Sequence, residues 1–183
     1  MTEVLIGALV GGGVLFVWSA VCWMVLPHHR GDAKSLGAAE GGVADALRQA
    51  GTPPGLYVMP CMTDFEKGMK DPALEQRFRE GPNALVVTWP PGRPMGAATF
   101  LKSFLVDVMQ AAGAAAILWI GAPNLDGLVD KVLLLAGIGL LIASAHAMRD
   151  SLWWRFPRRN AMTVTLDMIV GFALLGGTLH FVM

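Results

Sequence analysis

Long apolar runs alternate with polar segments along this chain. An uncharged run occupies residues 4–26, and three further apolar runs occupy residues 101–121, 128–148 and 161–183. The hydrocarbon core of a bilayer is about 30 Å thick and needs roughly 20 helical residues, so each run is long enough to cross it. The pattern predicts a mainly α, polytopic bundle of four transmembrane helices.

The first run predicts an uncleaved membrane anchor over residues 1–27. Glu3 precedes the run, no Lys or Arg does, and Pro27 ends it. A secretory signal peptide has a basic start and an apolar stretch of about 7–15 residues, which this run exceeds. We therefore expect residues 1–27 to stay in the membrane as the first span.

The segment that follows the first span has a different composition. Residues 28–99 are rich in Pro and charge, with alternating short apolar stretches. Amphipathic periodicity and Gly/Pro boundaries predict two short helices and two short strands. They are expected at 40–50, 72–80, 56–59 and 84–89. We predict a small α+β extramembrane insertion with a thin core, followed by three spans within residues 100–183.

Composition and charge exclude several classes of protein. Hydrophobic residues make up 54% of the chain and charged residues 15%, with 14 basic and 14 acidic side chains. A nucleic-acid-binding protein would be strongly basic, so no nucleic-acid partner is expected. Two cysteines are too few for a disulfide framework or a four-cysteine zinc site. No recognised catalytic motif is present, which favours a protein that is not an enzyme.

Basic residues near the spans predict the orientation. The loop at 149–160 carries four arginines, and cytoplasmic loops are enriched in Lys and Arg. The segment 28–99 is therefore expected in the cytoplasm of a bacterial inner membrane, with both termini outside. The same loop predicts an interfacial anchor or an anionic lipid-headgroup site. Its residues are Trp153, Trp154, Arg155, Arg158 and Arg159.

Ionisable groups inside the spans are the main candidates for function, because a charge in the bilayer is costly. Asp107 and Asp167 each lie six residues into a predicted span, about 9 Å along the helix axis. With Gln110 and His146 they predict a polar cluster that binds a proton, a cation or a headgroup. The alternative is structural: Asp107 pairs with Lys102 or an arginine, and Asp167 makes polar contacts between helices.

Histidine and cysteine raise two cofactor hypotheses, although we predict no cofactor. His146 and His180 fall at opposite ends of antiparallel spans, which opposes a haem held by that pair. His28 or His29 with His146 would match in depth. Copper is the other hypothesis, since thiolate and thioether ligands suit Cu(I). The relevant residues are His28, His29, Cys22, Cys61 and eleven scattered methionines.

Small residues at four-residue spacing occur on the spans. Such faces let helix backbones approach closely in lipid, either within the chain or against a partner. Gly and Ala are also simply common in these helices. The predicted packing positions are Gly7, Gly11, Gly139, Ala143, Ala173 and Gly177.

Three short motifs resemble a family of uncharacterised small bacterial inner-membrane proteins. They are the Trp-x-x-Leu-Pro at 23–27 after a Gly-rich span, the Gly-x-Tyr-x-x-Pro at 55–60, and Gly81-Pro82. The resemblance covers mainly the first half of the chain. It implies the membrane class and the architecture, and it carries no activity, cofactor or site residue.

These observations favour an accessory or structural subunit of a larger membrane complex. Membrane lipid and other membrane subunits, or further copies of the chain, are the expected partners. The alternative is a small conduit for protons, ions or a solute that uses the intramembrane carboxylates.

Overall fold

A computed structural model describes residues 2–92, 95–121 and 124–183. The predicted fold class is confirmed: the protein is mainly helical, with four long apolar helices and a small two-stranded sheet between the first and second spans. Residue 1 of the predicted first span and residues 93–94 of the predicted insertion lie outside the described ranges. The elements in chain order are α1 (Thr2–Ala20), α2 (Glu40–Gln49), β1 (Gly55–Met59), α3 (Phe65–Gly68), α4 (Pro72–Glu80), β2 (Ala84–Thr88), α5 (Ala97–Gly121), α6 (Leu128–Ala143), α7 (Arg149–Trp153) and α8 (Arg158–Val182).

The long helices differ at their ends from the apolar runs that predicted them. Spans two and four start at Ala97 and Arg158, earlier than the predicted 101 and 161, and span three continues to Trp153. Hydropathy marks only the apolar part of a helix, whereas backbone hydrogen bonding continues through flanking polar residues. The two intramembrane aspartates therefore lie further from their helix starts than the sequence boundaries implied.

Span one ends in a π-helical turn over Val21–Val25. Leu26 N donates to Val21 O at 2.9 Å, an i→i−5 bond. Leu26 itself is extended, with ψ 143°, because the proline that follows it disfavours helical geometry. The span thus stops at Val25 rather than at the predicted residue 27. Such π turns often mark functional sites, because the extra residue changes which side chains face the interior.

Four helices form the membrane bundle. α1 packs against α5 and α8, and α8 packs against α6. Apolar side chains from α1, α5, α6 and α8 make one buried cluster. Its members are Leu15, Ala111, Ala114, Ala115, Leu118, Leu135, Phe172, Leu175 and Leu179. The helices are therefore held together by an interior of alanine and leucine with one phenylalanine, as expected where backbones approach closely.

Most of the predicted small-residue positions are used within the chain. A Cβ at Gly7 would lie 2.9 Å from Leu179 Cδ2, and one at Gly139 would overlap the carbonyl oxygen of Met168. A Cβ at Gly11 would likewise overlap Cδ1 of Leu175 in α8. Ala143 is buried, whereas Ala173 and Gly177 are only half-buried. The close-packing hypothesis thus describes contacts inside this bundle.

Residues 35–93 form a separate compact unit. β1 and β2 pair antiparallel, with Gly55 opposite Thr88 and Met59 opposite Ala84. Among its described side chains only Pro60 and Leu74 are buried, in line with the predicted thin core. Its limits are narrower than the predicted 28–99, because residues 28–34 belong to the same compact unit as the membrane helices and residues 97–99 begin α5.

Candidate functional site

The end of span one places two histidines beside span four. Pro27 starts a short 3-10 turn, Pro27–His29, directly after the extended Leu26. This change of direction turns the chain back toward α8. His29 is buried and His28 is half-buried, so the pair lies within the membrane-helix unit rather than in solvent.

His29 bridges two carboxylates. Its Nε2 lies 2.6 Å from Asp167 Oδ2, and its Nδ1 lies 2.6 Å from Asp32 Oδ2. The side chains of His29, Asp32 and Asp167 are 4%, 8% and 15% exposed, respectively. An imidazole with a carboxylate on each nitrogen favours the doubly protonated cation, since both nitrogens then donate.

The contacts move the pKa values of His29 and Asp32 in opposite directions. Burial lowers the pKa of His29, but hydrogen bonds and charges from Asp32 and Asp167 outweigh it, so the pKa is raised above its ordinary value. The hydrogen bond from His29, followed by that from Asn160, lowers the pKa of Asp32. The pair is therefore arranged to hold His29 as a cation and Asp32 as an anion.

Asp167 is the centre of the cluster. Its Oδ1 lies 2.9 Å from His28 Nε2, and its backbone carbonyl accepts a hydrogen bond from Trp18 Nε1 at 2.9 Å. Cys22, on the π turn, completes a close group: one ligand atom each from Cys22, His28 and Asp167 lie within 4.8 Å of one another. An indole and a thiol from span one, and two histidines from the turn that follows it, thus converge on one residue of span four.

Polar residues at the start of α8 hold the other side of the cluster. Asn160 Nδ2 donates to Asp32 Oδ2 at 3.0 Å, and Thr163 Oγ1 donates to the same oxygen at 3.4 Å. Arg159 Nη2 donates to the carbonyl of His28 at 3.2 Å. These bonds fix the segment after span one against α8.

An aromatic ring covers the histidine. The rings of Trp23 and His29 stack with their centroids 3.9 Å apart and their planes 3° apart. Stacking of an indole on an imidazolium is favourable because the ring face carries partial negative charge. Trp23 therefore shields His29 while leaving both of its nitrogens to the carboxylates.

A cavity of about 220 Å³ adjoins the cluster. Asp107 of α5 lines it, and Asp107 Oδ2 is buried with no hydrogen-bond partner among the described residues. A desolvated carboxylate needs a proton or a cation as a partner. The lining residues that carry polar groups are Trp18, Ser19, Cys22, Trp23, Asp107, Gln110 and Asp167.

The structure brings together most, but not all, of the predicted polar cluster. Asp107, Gln110 and Asp167 line the same cavity. His146 does not: its side chain is exposed, on a second π turn over Ser144–Met148, so the prediction that it joins the carboxylates does not hold in this structure. Helix rotation decides this, because residues at a similar depth face different directions.

The residues of the predicted interfacial anchor are exposed, as contact with lipid headgroups would require. Trp153 is 78% exposed and Trp154 is 47% exposed. The three arginines of the set, Arg155, Arg158 and Arg159, are also exposed. Arg159 differs from the others in its bond to the His28 carbonyl, so it serves the cluster as well as the surface.

Sequence reasoning missed Asp32 and Trp18, and it did not connect His28 and His29 with Asp167. A signal was present: His28, His29 and Asp32 follow the end of span one, and Asp167 follows the start of span four at the same end of the bundle. Cys22 joins this group, whereas Cys61 is exposed in the separate unit at 35–93.

Comparison with protein-family models, with curated proteins and with solved structures finds no match to this chain. The resemblance to uncharacterised inner-membrane proteins accordingly stays a prediction.

Proposed function

We propose that this integral membrane protein binds a small cation in the cavity between α1, α5 and α8 and transfers it along the bundle. The observation that carries the proposal is that Asp107 and Asp167, on different spans, line one cavity. Intramembrane carboxylates that face a bundle interior are typical of ion and proton pathways.

The charge of the site supports a cation as the ligand. Three carboxylates, Asp32, Asp107 and Asp167, meet two histidines there, and Asp107 Oδ2 has no protein partner in the described part of the chain. The nearby Arg159 is exposed and bonds to a backbone carbonyl rather than to a carboxylate. An anionic ligand would face the unbalanced carboxylates, whereas a cation supplies the charge that Asp107 lacks.

The apolar core supports gated transfer rather than an open pore. Along α5 the residues after Asp107 join the buried cluster, beginning with Ala111, and along α8 Leu175 and Leu179 do the same. Among the described residues, close packing of these apolar side chains opposes an open polar route past the cavity in that direction. Transfer therefore requires the helices to move, and we expect slow, saturable flux.

The distribution of arginines supports an orientation in a bacterial inner membrane in which the end of the bundle that carries the cavity faces the cytoplasm. The Arg-rich loop precedes α8, and Arg159 contacts the chain just after span one, so both loops meet at the end of the bundle that carries the site. By the positive-inside rule this end faces the cytoplasm, with both termini outside.

A flux measurement tests the proposal. The purified protein is reconstituted into liposomes that hold either a pH-sensitive dye or a zinc-sensitive dye. We expect uptake of one of these cations, reduced at least tenfold by Asp107→Asn. Asp150→Asn, in α7 outside the cavity lining, is the matched control and should keep wild-type flux. Absence of both fluxes, or equal flux in the Asp107→Asn protein, would contradict cation transfer.

An accessory subunit is the second candidate. Gly13 and Gly137, on two of the spans, have open space beside their Cα atoms, which a partner helix would fill. The closer glycine contacts are already used within the chain, so the cavity is the stronger support for function. The native mass of the protein extracted in mild detergent tests this candidate: co-purifying polypeptides favour it, and a single-chain mass opposes it.

A further inference from the structure

The group formed by Cys22, His28 and Asp167 joins three ligand types that protein metal sites use. A thiol sulfur, an imidazole nitrogen and a carboxylate oxygen lie within 4.8 Å of one another. Zinc bonds of about 2.0–2.3 Å in a tetrahedron place neighbouring ligand atoms roughly 3.3–3.8 Å apart. Side-chain adjustments of about an ångström would therefore bring the three atoms to bonding geometry around one ion.

We propose that Cys22, His28 and Asp167 bind a divalent transition-metal ion of the zinc class, with a fourth position that faces the cavity. The inference deepens the proposed cation site by naming its ion, and so rests on it. Three protein ligands with an open fourth position are characteristic of zinc sites that exchange a ligand.

The charges balance at this position. A Cys22 thiolate and an Asp167 carboxylate bring two negative charges, and neutral His28 adds none, so a divalent ion makes the group neutral. Neutrality matters because the cysteine is buried and the other two ligands are half-buried. On binding, the ion displaces the Cys22 thiol proton to solvent, and His28 carries its one proton on Nδ1, so that Nε2 exchanges its 2.9 Å contact with Asp167 Oδ1 for a bond to the metal.

A second layer of contacts already orients the ligands. His29 Nε2 contacts the other oxygen of Asp167 at 2.6 Å, and Asp32 holds the far nitrogen of His29 at 2.6 Å. Arg159 fixes the backbone at His28. Carboxylate and imidazole partners of this kind set ligand orientation in metal sites, and their loss typically costs about 10–100-fold in affinity.

The fourth coordination position of the proposed metal site faces the cavity. Cys22 and Asp167 both line it, and so does Asp107, whose Oδ2 is buried without a partner among the described residues. A metal-bound water can occupy the open position, on the side of the cavity that Asp107 lines. The thiolate and imidazole select against Mg²⁺ and Ca²⁺, which prefer oxygen ligands throughout.

Cobalt substitution tests the site on the full-length protein in mild detergent. After chelator treatment, Co²⁺ alone is titrated and the near-ultraviolet thiolate-to-cobalt charge-transfer band is recorded. We expect one equivalent of Co²⁺, with the band lost in Cys22→Ser and kept in the matched control Cys61→Ser. His28→Ala should weaken Co²⁺ affinity at least tenfold, and His146→Ala should leave it unchanged.

The outcomes separate this inference from the proposed function. Absence of the band in the wild-type protein, or its loss in Cys61→Ser with retention in Cys22→Ser, overturns the metal site. Proton flux that depends on Asp107 would survive that result. Conversely, a band assigned to Cys22 without flux of either cation supports the metal site and contradicts transfer. Circular dichroism and gel filtration of each variant show whether it is folded before its spectrum is compared.

Discussion

His29 Nε2 lies 2.6 Å from Asp167 Oδ2, which joins the segment after span one to the interior of span four. The two residues are 138 positions apart in the chain. The same imidazole reaches Asp32 through its other nitrogen. One buried side chain therefore fixes the segment at 28–34 against the bundle and orients the carboxylate at the centre of the proposed cation site.

Removing this imidazole should destabilise the protein. His29→Ala leaves Asp32 and Asp167 facing each other without a cation, and breaking a buried ion pair from one side costs about 3–5 kcal/mol. Because Asp167 retains His28, we expect a loss toward the lower end, about 3 kcal/mol. Thermal unfolding in detergent measures it. His146→Ala, at an exposed position, should change the free energy of unfolding by less than about 0.5 kcal/mol. Equal effects of the two variants would show that the bridge is not stabilising.

The stability of the chelator-treated protein should peak in mildly acidic solution. The raised pKa of His29 gives stability that is complete below the ordinary value of 6.5 and is lost as the pH rises through the folded value. The lowered pKa of Asp32 gives stability that is present above its ordinary value of 3.8 and is lost as the pH falls through the folded value. The two contributions overlap between these ordinary values.

Asp32→Asn tests the origin of the alkaline loss. The variant removes one of the two carboxylates that raise the pKa of His29, while Asp167 remains. We expect a smaller decline in melting temperature above neutral pH than in the wild-type protein. Asp150→Asn is the control and should keep the wild-type profile. An unchanged decline in Asp32→Asn would assign the pH dependence to other groups.

Alanine substitution at the neighbouring glycines Gly12 and Gly13 of span one should have different effects on the free energy of unfolding. A Cβ at Gly12 would lie 2.7 Å from Val108 Cα in α5, whereas Gly13 has nothing within 4 Å. Gly12→Ala forces two backbones apart and should cost about 1–3 kcal/mol. Gly13→Ala should be neutral or stabilise the helix by about 0.5–1 kcal/mol. Thermal unfolding of the two variants checks the packing of α1 on α5. A stable Gly12→Ala protein would contradict it.

Replacing Asp107 with leucine should have opposite effects on the free energy of unfolding and on cation flux. Burying a polar group without a partner costs about 1–3 kcal/mol, so Asp107→Leu should raise the free energy of unfolding. The same variant should lose cation flux, because the cavity then lacks the free carboxylate. Thermal unfolding and liposome flux on one preparation measure both effects. A destabilised Asp107→Leu protein would indicate a contact that the carboxyl makes in the native state.

The sequence by itself determined the four spans, two strands and two of the short helices, whereas α3 was not predicted and α7 lies where a loop was expected. A continuous apolar run of bilayer length forms a helix whatever its neighbours are, because its backbone groups must be satisfied internally. Local signals also located α4, whose predicted bounds of 72–80 match Pro72–Glu80, with Asp71 accepting the capping bond from Ala73 N at 2.9 Å. The sequence also indicated that Asp107 and Asp167 lie at a similar depth in their spans, and it therefore predicted that they belong to one polar cluster.

Only the tertiary structure decided which polar residues meet. The π turn at Val21–Val25 and the turn at Pro27 together aim Cys22 and both histidines at Asp167, whereas His146 faces outward. The direction of a side chain around a helix depends on how the helices rotate and pack. In this bundle that rotation follows close contacts such as Gly12 on Val108 and Gly139 on Met168, which join residues far apart in the chain. Hydropathy records how apolar a segment is, but it carries no information about those contacts.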